Sequence, residues 1–138
     1  MDREVIEHKL ESLRRCLQRV TEKCPSNSDK LNRDPDLQDI ITLNLSRAVQ
    51  LCVDLGTHLI ADLEVPPPDT MGQTFDLLAQ ADVISEHLAK HLKQAVGFRN
   101  IAVHHYEEID WVIVHNIALN HLSDFSEFAK IVAARLPR

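Results

Sequence analysis

Asp34-Pro35-Asp36-Leu37-Gln38-Asp39-Ile40-Ile41 opens, and Leu59-Ile60-Ala61-Asp62-Leu63 closes, the longest periodic stretch of the chain. An aspartate can cap a helix, and proline is tolerated at the first helical position, where its missing N–H costs nothing. From there Ile41, Leu45, Ala48, Cys52, Leu55 and Leu59 recur on one helical stripe, with Val49, Val53 and Ile60 beside it. So broad an apolar face predicts contact on two sides, against the N-terminal segment and against later helices or a second subunit. Pro66-Pro67-Pro68 then stops the helix and stiffens the link that follows.

The same period runs outward in both directions. Toward the N-terminus, residues 2–24 place Ile6, Leu10, Leu13, Leu17, Val20 and Cys24 on a narrow stripe. Pro25-Ser26-Asn27-Ser28-Asp29 ends that helix and begins a polar connection to about residue 33, expected to be a mobile loop. Toward the C-terminus, Thr70-Met71-Gly72-Gln73 has capping-box form and opens a short helix burying Met71, Phe75 and Leu78. Asp82 is expected to cap the next helix, with Ile84, Leu88, Leu92 and Ala95 inward, and Gly97 to end or bend it. Asp110 is expected to cap a last helix reaching about residue 135, striped by Trp111, Val114, Ala118, Phe125, Phe128 and Val132 and broadened by Ile113 and Ile117.

A content of 3 glycines, 6 prolines and 4% aromatics argues against a strand-rich fold full of tight turns. The expectation is an all-α bundle of about four long helices plus a short one, a single domain over residues 1–138. Hydrophobic residues at 44% and charged residues at 26% are ordinary for a globular protein. Cys16, Cys24 and Cys52 form no CxxC pair and read as reduced, small apolar residues. Met1-Asp2-Arg3-Glu4 is acidic and no apolar run long enough for a signal peptide or a membrane span follows, so no membrane association and a cytoplasmic location are expected.

A net charge of −6 argues against a general nucleic-acid binder, but its distribution is uneven. Residues 86–106 hold Lys90, Lys93 and Arg99 against Glu86 alone, with His87, His91, His104 and His105 added. Within that strip, Arg99-Asn100-Ile101-Ala102-Val103-His104-His105-Tyr106 gathers a cation, an amide, two imidazoles and the one tyrosine of the chain. A guanidinium pairs with two oxygens of one phosphate and stays charged at any working pH. Imidazole gives and takes protons near neutrality. On a helix Asn100 and His104, at i and i+4, share a face, and Arg99 lies to its side, an offset that a long side chain can bridge. The residue types ask for a phosphodiester.

The pattern Arg, four residues, His, one residue, Tyr, spelled by Arg99, His104 and Tyr106, resembles the signature of HEPN-domain ribonucleases. More narrowly, Gly97 through Tyr106 reads Gly-Phe-Arg-Asn-Ile-x-Val-His-x-Tyr and resembles the HepT-type toxins of HepT/MntA (HEPN/minimal nucleotidyltransferase) toxin-antitoxin pairs. The likeness extends to the N-terminal helix, the helix start at residues 70–75 and the total length. It implies a HEPN-like bundle that works as a metal-independent endoribonuclease, with Arg99 on the phosphate, Asn100 orienting and His104 as acid or base. It also implies a homodimer with a composite cleft, and a cognate MntA-like nucleotidyltransferase antitoxin that appends AMP to Tyr106. No cofactor is implied.

Other residues are weighed beside this motif. His91, with Lys90 and Lys93, is expected to offer RNA a soft positive wall. His87 and His91 stand at a spacing compatible with a metal, but no acidic residue completes a HExxH pattern, and no metal is expected. Asp76, Glu107 and His105 receive no role. The strongest rival reading is a non-catalytic helical subunit that presents substrate to a nucleotidyltransferase, with Arg99 and His104 binding phosphate only. RNA cleavage by the isolated protein in excess chelator separates the two. A third reading, a metal-carrying four-helix bundle, predicts bound metal and loss of stability with chelator.

Overall fold

The Asp34 side chain accepts the backbone N–H groups of Asp36 and Leu37, and Pro35 takes the first helical position, so the longest helix begins where the sequence places it. The computed structural model describes residues 2–137. In chain order its helices are α1 (Arg3–Lys23), α2 (Ser28–Arg33), α3 (Pro35–Ala61), α4 (Met71–Gln80), α5 (Glu86–His104), α6 (Trp111–Asn120) and α7 (Leu122–Ala134), with a 3-10 turn at Tyr106–Glu108. Among the described residues there is no strand.

At 27 residues, α3 is an axle about 40 Å long. It packs on α1 along one side and on α4, α5 and α7 along others, and it also touches α2 and α6. The breadth of its apolar face is thus used up mostly within the chain. Leu45, Cys52 and Leu55 of α3 join Ile6 and Leu13 of α1, Leu88 and Leu92 of α5, and Phe125 and Phe128 of α7 in one buried cluster. Phe75 of α4 meets Phe128 edge-on, ring centroids 5.7 Å apart. Gly56 allows α3 and α4 to approach: a Cβ built there would lie 2.7 Å from Thr74 Cγ2. At the start of α4 Thr70 Oγ1 accepts the Gln73 N–H as expected, while the Gln73 side chain reaches one residue past the cap and accepts the Asp69 N–H.

Four details differ from the sequence expectation. The connection after α1 is not a loop, because Asn27 caps α2 by accepting the Lys30 N–H at 2.9 Å and Leu31 is fully buried. Asp82 caps nothing. It has φ 58° and closes α4: its N–H bonds Ala79 O, the Val83 N–H bonds Leu78 O, and Val83 packs beside Leu78 in the core. That is a left-handed helix stop in which an aspartate stands where glycine is usual. Ser85 caps α5 instead, accepting the Leu88 N–H at 3.0 Å.

Gly97 does not end α5, which continues seven residues past it to His104; a Cβ there would meet nothing within 4 Å. The last helix, expected as one, is two. His121 leaves helical geometry at φ −122° and ψ 9°, ending α6 and starting α7. Val114, Ala118, Phe125, Phe128 and Val132 stay buried on both sides of that break, so the apolar period carries no mark of it. Asp110 does cap α6, accepting the Val112 N–H at 3.0 Å. The thiols of Cys16, Cys24 and Cys52 are free, and burial raises the pKa of each. No helix among the described residues is long and apolar enough to cross a membrane.

Candidate active site

Because α5 runs through Gly97, Arg99, Asn100 and His104 stand on one rigid element, in its last two turns. Five residues of α-helix turn roughly 140° past a full revolution, so Arg99 and His104 leave the helix on different sides. Two contacts decide where the guanidinium goes. Arg99 Nη1 donates to Asn100 Oδ1 at 3.3 Å and lies 3.8 Å from Sδ of Met71, the first residue of α4. Arg99 is half-buried against α4, and its head group is drawn to Asn100, the residue that shares the His104 face. Asn100 and His104 are exposed. Asn100 and His104 thus share an open face, and the half-buried Arg99 reaches its edge through Asn100.

Beyond His104 the chain turns. His105 caps α5 through its N–H to Ile101 O at 2.8 Å, and the 3-10 turn brings Tyr106 back toward the start of α3. There the phenol donates to Asp39 Oδ1 at 2.6 Å, and its ring meets Trp111 at 5.9 Å between centroids. Desolvation, then the hydrogen bond and the negative charge of Asp39, push the Tyr106 pKa up to about 12; Thr42 pulls weakly the other way. The Thr42 hydroxyl is buried and has no hydrogen-bond partner of good geometry. Sequence reasoning missed Asp39 and Met71, since nothing local in either stretch marks a contact with the motif.

The expected basic wall is not one surface. Lys93 pairs with Asp76 at 3.1 Å. With Lys90 it lines a groove between α4 and α5 that Asp76 and Glu86 also line. His91 leaves α5 on another side, toward α7, where its Nδ1 lies 3.0 Å from Asp124 Oδ2. Two groups of described residues bring three metal-ligating atoms within 4.8 Å of one another: the exposed set His105, Glu107 and Glu108, and the half-buried set His91, His121 and Asp124.

The chain is thus an all-α bundle that carries an arginine, an asparagine and a histidine near the end of one helix, with a tethered tyrosine beyond. The model of a family described as "Ribonuclease HepT-like" matches residues 6–132, and the chain belongs to that family. It is 34% identical to the mRNA nuclease HepT of Shewanella oneidensis over 131 residues, 95% of this chain and 98% of that protein. It is 30% identical to the tRNA nuclease HepT of Aphanizomenon flos-aquae over 74 residues, 53% of this chain and 50% of the other. Among solved structures, the tri-AMPylated Shewanella oneidensis HEPN toxin in complex with MNT antitoxin superposes with a TM-score of 0.89 at 33% identity, covering 98% of this chain and all of that one.

Proposed function

We propose that the protein is a metal-independent endoribonuclease toxin of a toxin-antitoxin pair, cutting RNA at a site built from Arg99, Asn100 and His104 and neutralised by AMPylation of Tyr106. The observation that carries this reading is the Arg99–Asn100 hydrogen bond, which draws a permanent cation toward the exposed face that His104 shares. A phosphate held there by the guanidinium has an imidazole beside it. The ribose 2′-oxygen attacks the adjacent phosphorus as His104 moves the proton. The bond from phosphorus to the 5′-oxygen breaks, leaving a 2′,3′-cyclic phosphate and a 5′-hydroxyl.

One helix end offers half a cleft, and a second copy supplies the other half. Ile101 and Val103 flank the site on α5, Val112, Ile113 and Leu119 lie on α6, and all five are exposed apolar side chains. They suit a self-complementary interface that sets two motifs face to face. A cognate nucleotidyltransferase antitoxin, the partner type seen with the Shewanella toxin, acts on Tyr106. Each AMP adds negative charge and bulk beside Arg99 and His104, which repels an RNA backbone.

The test is RNA cleavage by the purified protein in excess chelator. Native protein yields cyclic-phosphate ends, and His104→Ala abolishes cleavage while leaving helicity and oligomeric state as they are. In cells, Tyr106→Phe stays toxic when the antitoxin is co-expressed. Undiminished cleavage by His104→Ala, or none by the native chain, overturns the assignment.

A further inference from the structure

On the side of α5 that turns away from Lys90 and Lys93, two imidazoles and a carboxylate converge. Asp124 Oδ2 lies 3.0 Å from His91 Nδ1 and 3.3 Å from His121 Nδ1. One ligand atom from each of the three residues falls within 4.8 Å of the others. We propose that His91, His121 and Asp124 form a binding site for a divalent transition cation of the zinc class, which clamps α7 to the middle of α5.

The spacing fits such an ion. Nitrogen and oxygen donors at about 2.0–2.1 Å from a tetrahedral zinc stand roughly 3.3 Å from one another. The two edges through Asp124 Oδ2, 3.0 and 3.3 Å, already have about that length, and one ligand atom from each residue can be chosen with every edge within 4.8 Å. Two imidazoles with one carboxylate are borderline donors suited to zinc, cobalt or nickel, whereas calcium and magnesium want all-oxygen shells.

Charge points the same way. The Asp124 side chain is only 17% exposed, and its ion-pair partners among the described residues are the two histidines, with no lysine or arginine. A shielded carboxylate is costly unless positive charge stands beside it, and a dication supplies that charge. A candidate for the fourth position is His87, one turn before His91, with ring centroids 4.2 Å apart. Water takes that position otherwise. A pocket of about 220 Å³, lined by all three ligands and floored by Phe98 and Phe125, gives the ion a way in.

The placement gives the ion work in the fold. His121 is the residue at which α6 stops and α7 starts, and Asp124 sits in the first turn of α7. The clamp therefore fixes the helix break to α5 eight residues before Arg99, about 12 Å along the axis. This role is independent of cleavage, whose residues stand at the far end of α5.

Tag-free protein, titrated with Zn²⁺ against a chromophoric chelator, is expected to bind one ion per chain and to unfold at a higher temperature when loaded. Co²⁺ in its place is expected to give the intense visible absorption of a tetrahedral site. His121→Asn and Asp124→Asn are expected to lose at least about tenfold in affinity, the least that loss of even an outer-shell partner costs, and all of the thermal shift. His8→Ala, an exposed histidine on α1, is expected to bind as the native chain does. Failure of the native protein to bind one equivalent, a weak octahedral Co²⁺ spectrum, or equal affinity in the folded variants overturns the site and leaves a hydrogen-bonded cluster.

Discussion

Tyr106 and Asp39, 67 residues apart, are joined by a 2.6 Å hydrogen bond that ties the last residue of the motif to the first turns of α3. Burial and the Asp39 carboxylate favour the neutral phenol and set its pKa at about 12. A group of this kind contributes stability that is complete below the ordinary phenol value near ~10 and is lost as pH rises through 12. Tyr106 is the one tyrosine in the chain, so phenolate absorbance reports it alone. The native protein is expected to titrate near 12. Asp39→Ala is expected to move the midpoint down without reaching the free value, because burial, the larger cause, remains. A native midpoint near 10 would contradict the contact.

The same carboxylate bears on the proposed modification. When the phenolic oxygen attacks the α-phosphorus of ATP, the bond to the β-phosphate breaks, pyrophosphate leaves, and the phenolic proton needs an acceptor. Asp39 Oδ1 is already hydrogen-bonded to that proton. Loss of a positioned base typically costs 10²–10⁴ in rate, so Asp39→Asn is expected to slow AMP transfer to Tyr106 by roughly 100-fold. RNA cleavage by the unmodified protein should be unchanged. Radiolabel transfer from ATP in the presence of the nucleotidyltransferase measures the first, and equal transfer rates would remove Asp39 from this role.

Arg99 tests whether charge alone suffices. Arg99→Lys keeps the cation but loses the planar fork that bonds Asn100 and could grip two phosphate oxygens. The expected outcome is a fall in kcat/KM for RNA of about tenfold or more, with thermal stability little changed, since Arg99 lies at the edge of the core. Wild-type kinetics in that variant would show that a point charge is enough.

Much of this arrangement is legible in the sequence, and the gaps have physical causes. Asp34-Pro35, Thr70 and Asp110 announce their helix starts because a cap is a local interaction, complete within four residues. The face shared by Asn100 and His104 follows from helical period once α5 is known to continue. Whether it continues does not follow, since Gly97 in open space is compatible with a stop or with a helix. Asp39 and Asp124 are invisible for another reason: each meets its partner across 67 or 33 residues, and no period along one helix encodes a distance to another. His87 and His91 were readable as a pair, while His121 joins them only because α7 starts where it does.

Asp82 offers a gain in stability. A non-glycine residue at φ 58° carries a steric cost on the order of 1–2 kcal/mol, of which aspartate avoids part through its short polar side chain. Its backbone bonds to Ala79 and from Val83 to Leu78 need only main-chain atoms and survive substitution. Asp82→Gly relieves part of that cost against the extra freedom glycine has in the unfolded chain, so it is expected to stabilise the protein by about 1 kcal/mol or less, and Asp82→Val, β-branched, to destabilise it. Calorimetric melting temperatures check both signs.

Gly56→Ala sets helix propensity against packing. In an isolated helix alanine is better than glycine by about 1 kcal/mol. Here the added methyl would stand 2.7 Å from Thr74 Cγ2 and 3.4 Å from Leu78 Cδ1, and Thr74 is only 1% exposed, so it has little space to yield. Overpacking of that kind costs about 1–3 kcal/mol, which outweighs the propensity gain. The strain falls on α4, whose first residue, Met71, supports Arg99. Gly56→Ala should thus lower both melting temperature and RNA cleavage. Adding Thr74→Ser, which removes only the clashing methyl, should restore most of each in a double-mutant cycle. Failure of the second substitution to rescue would place the cost somewhere other than the α3–α4 contact.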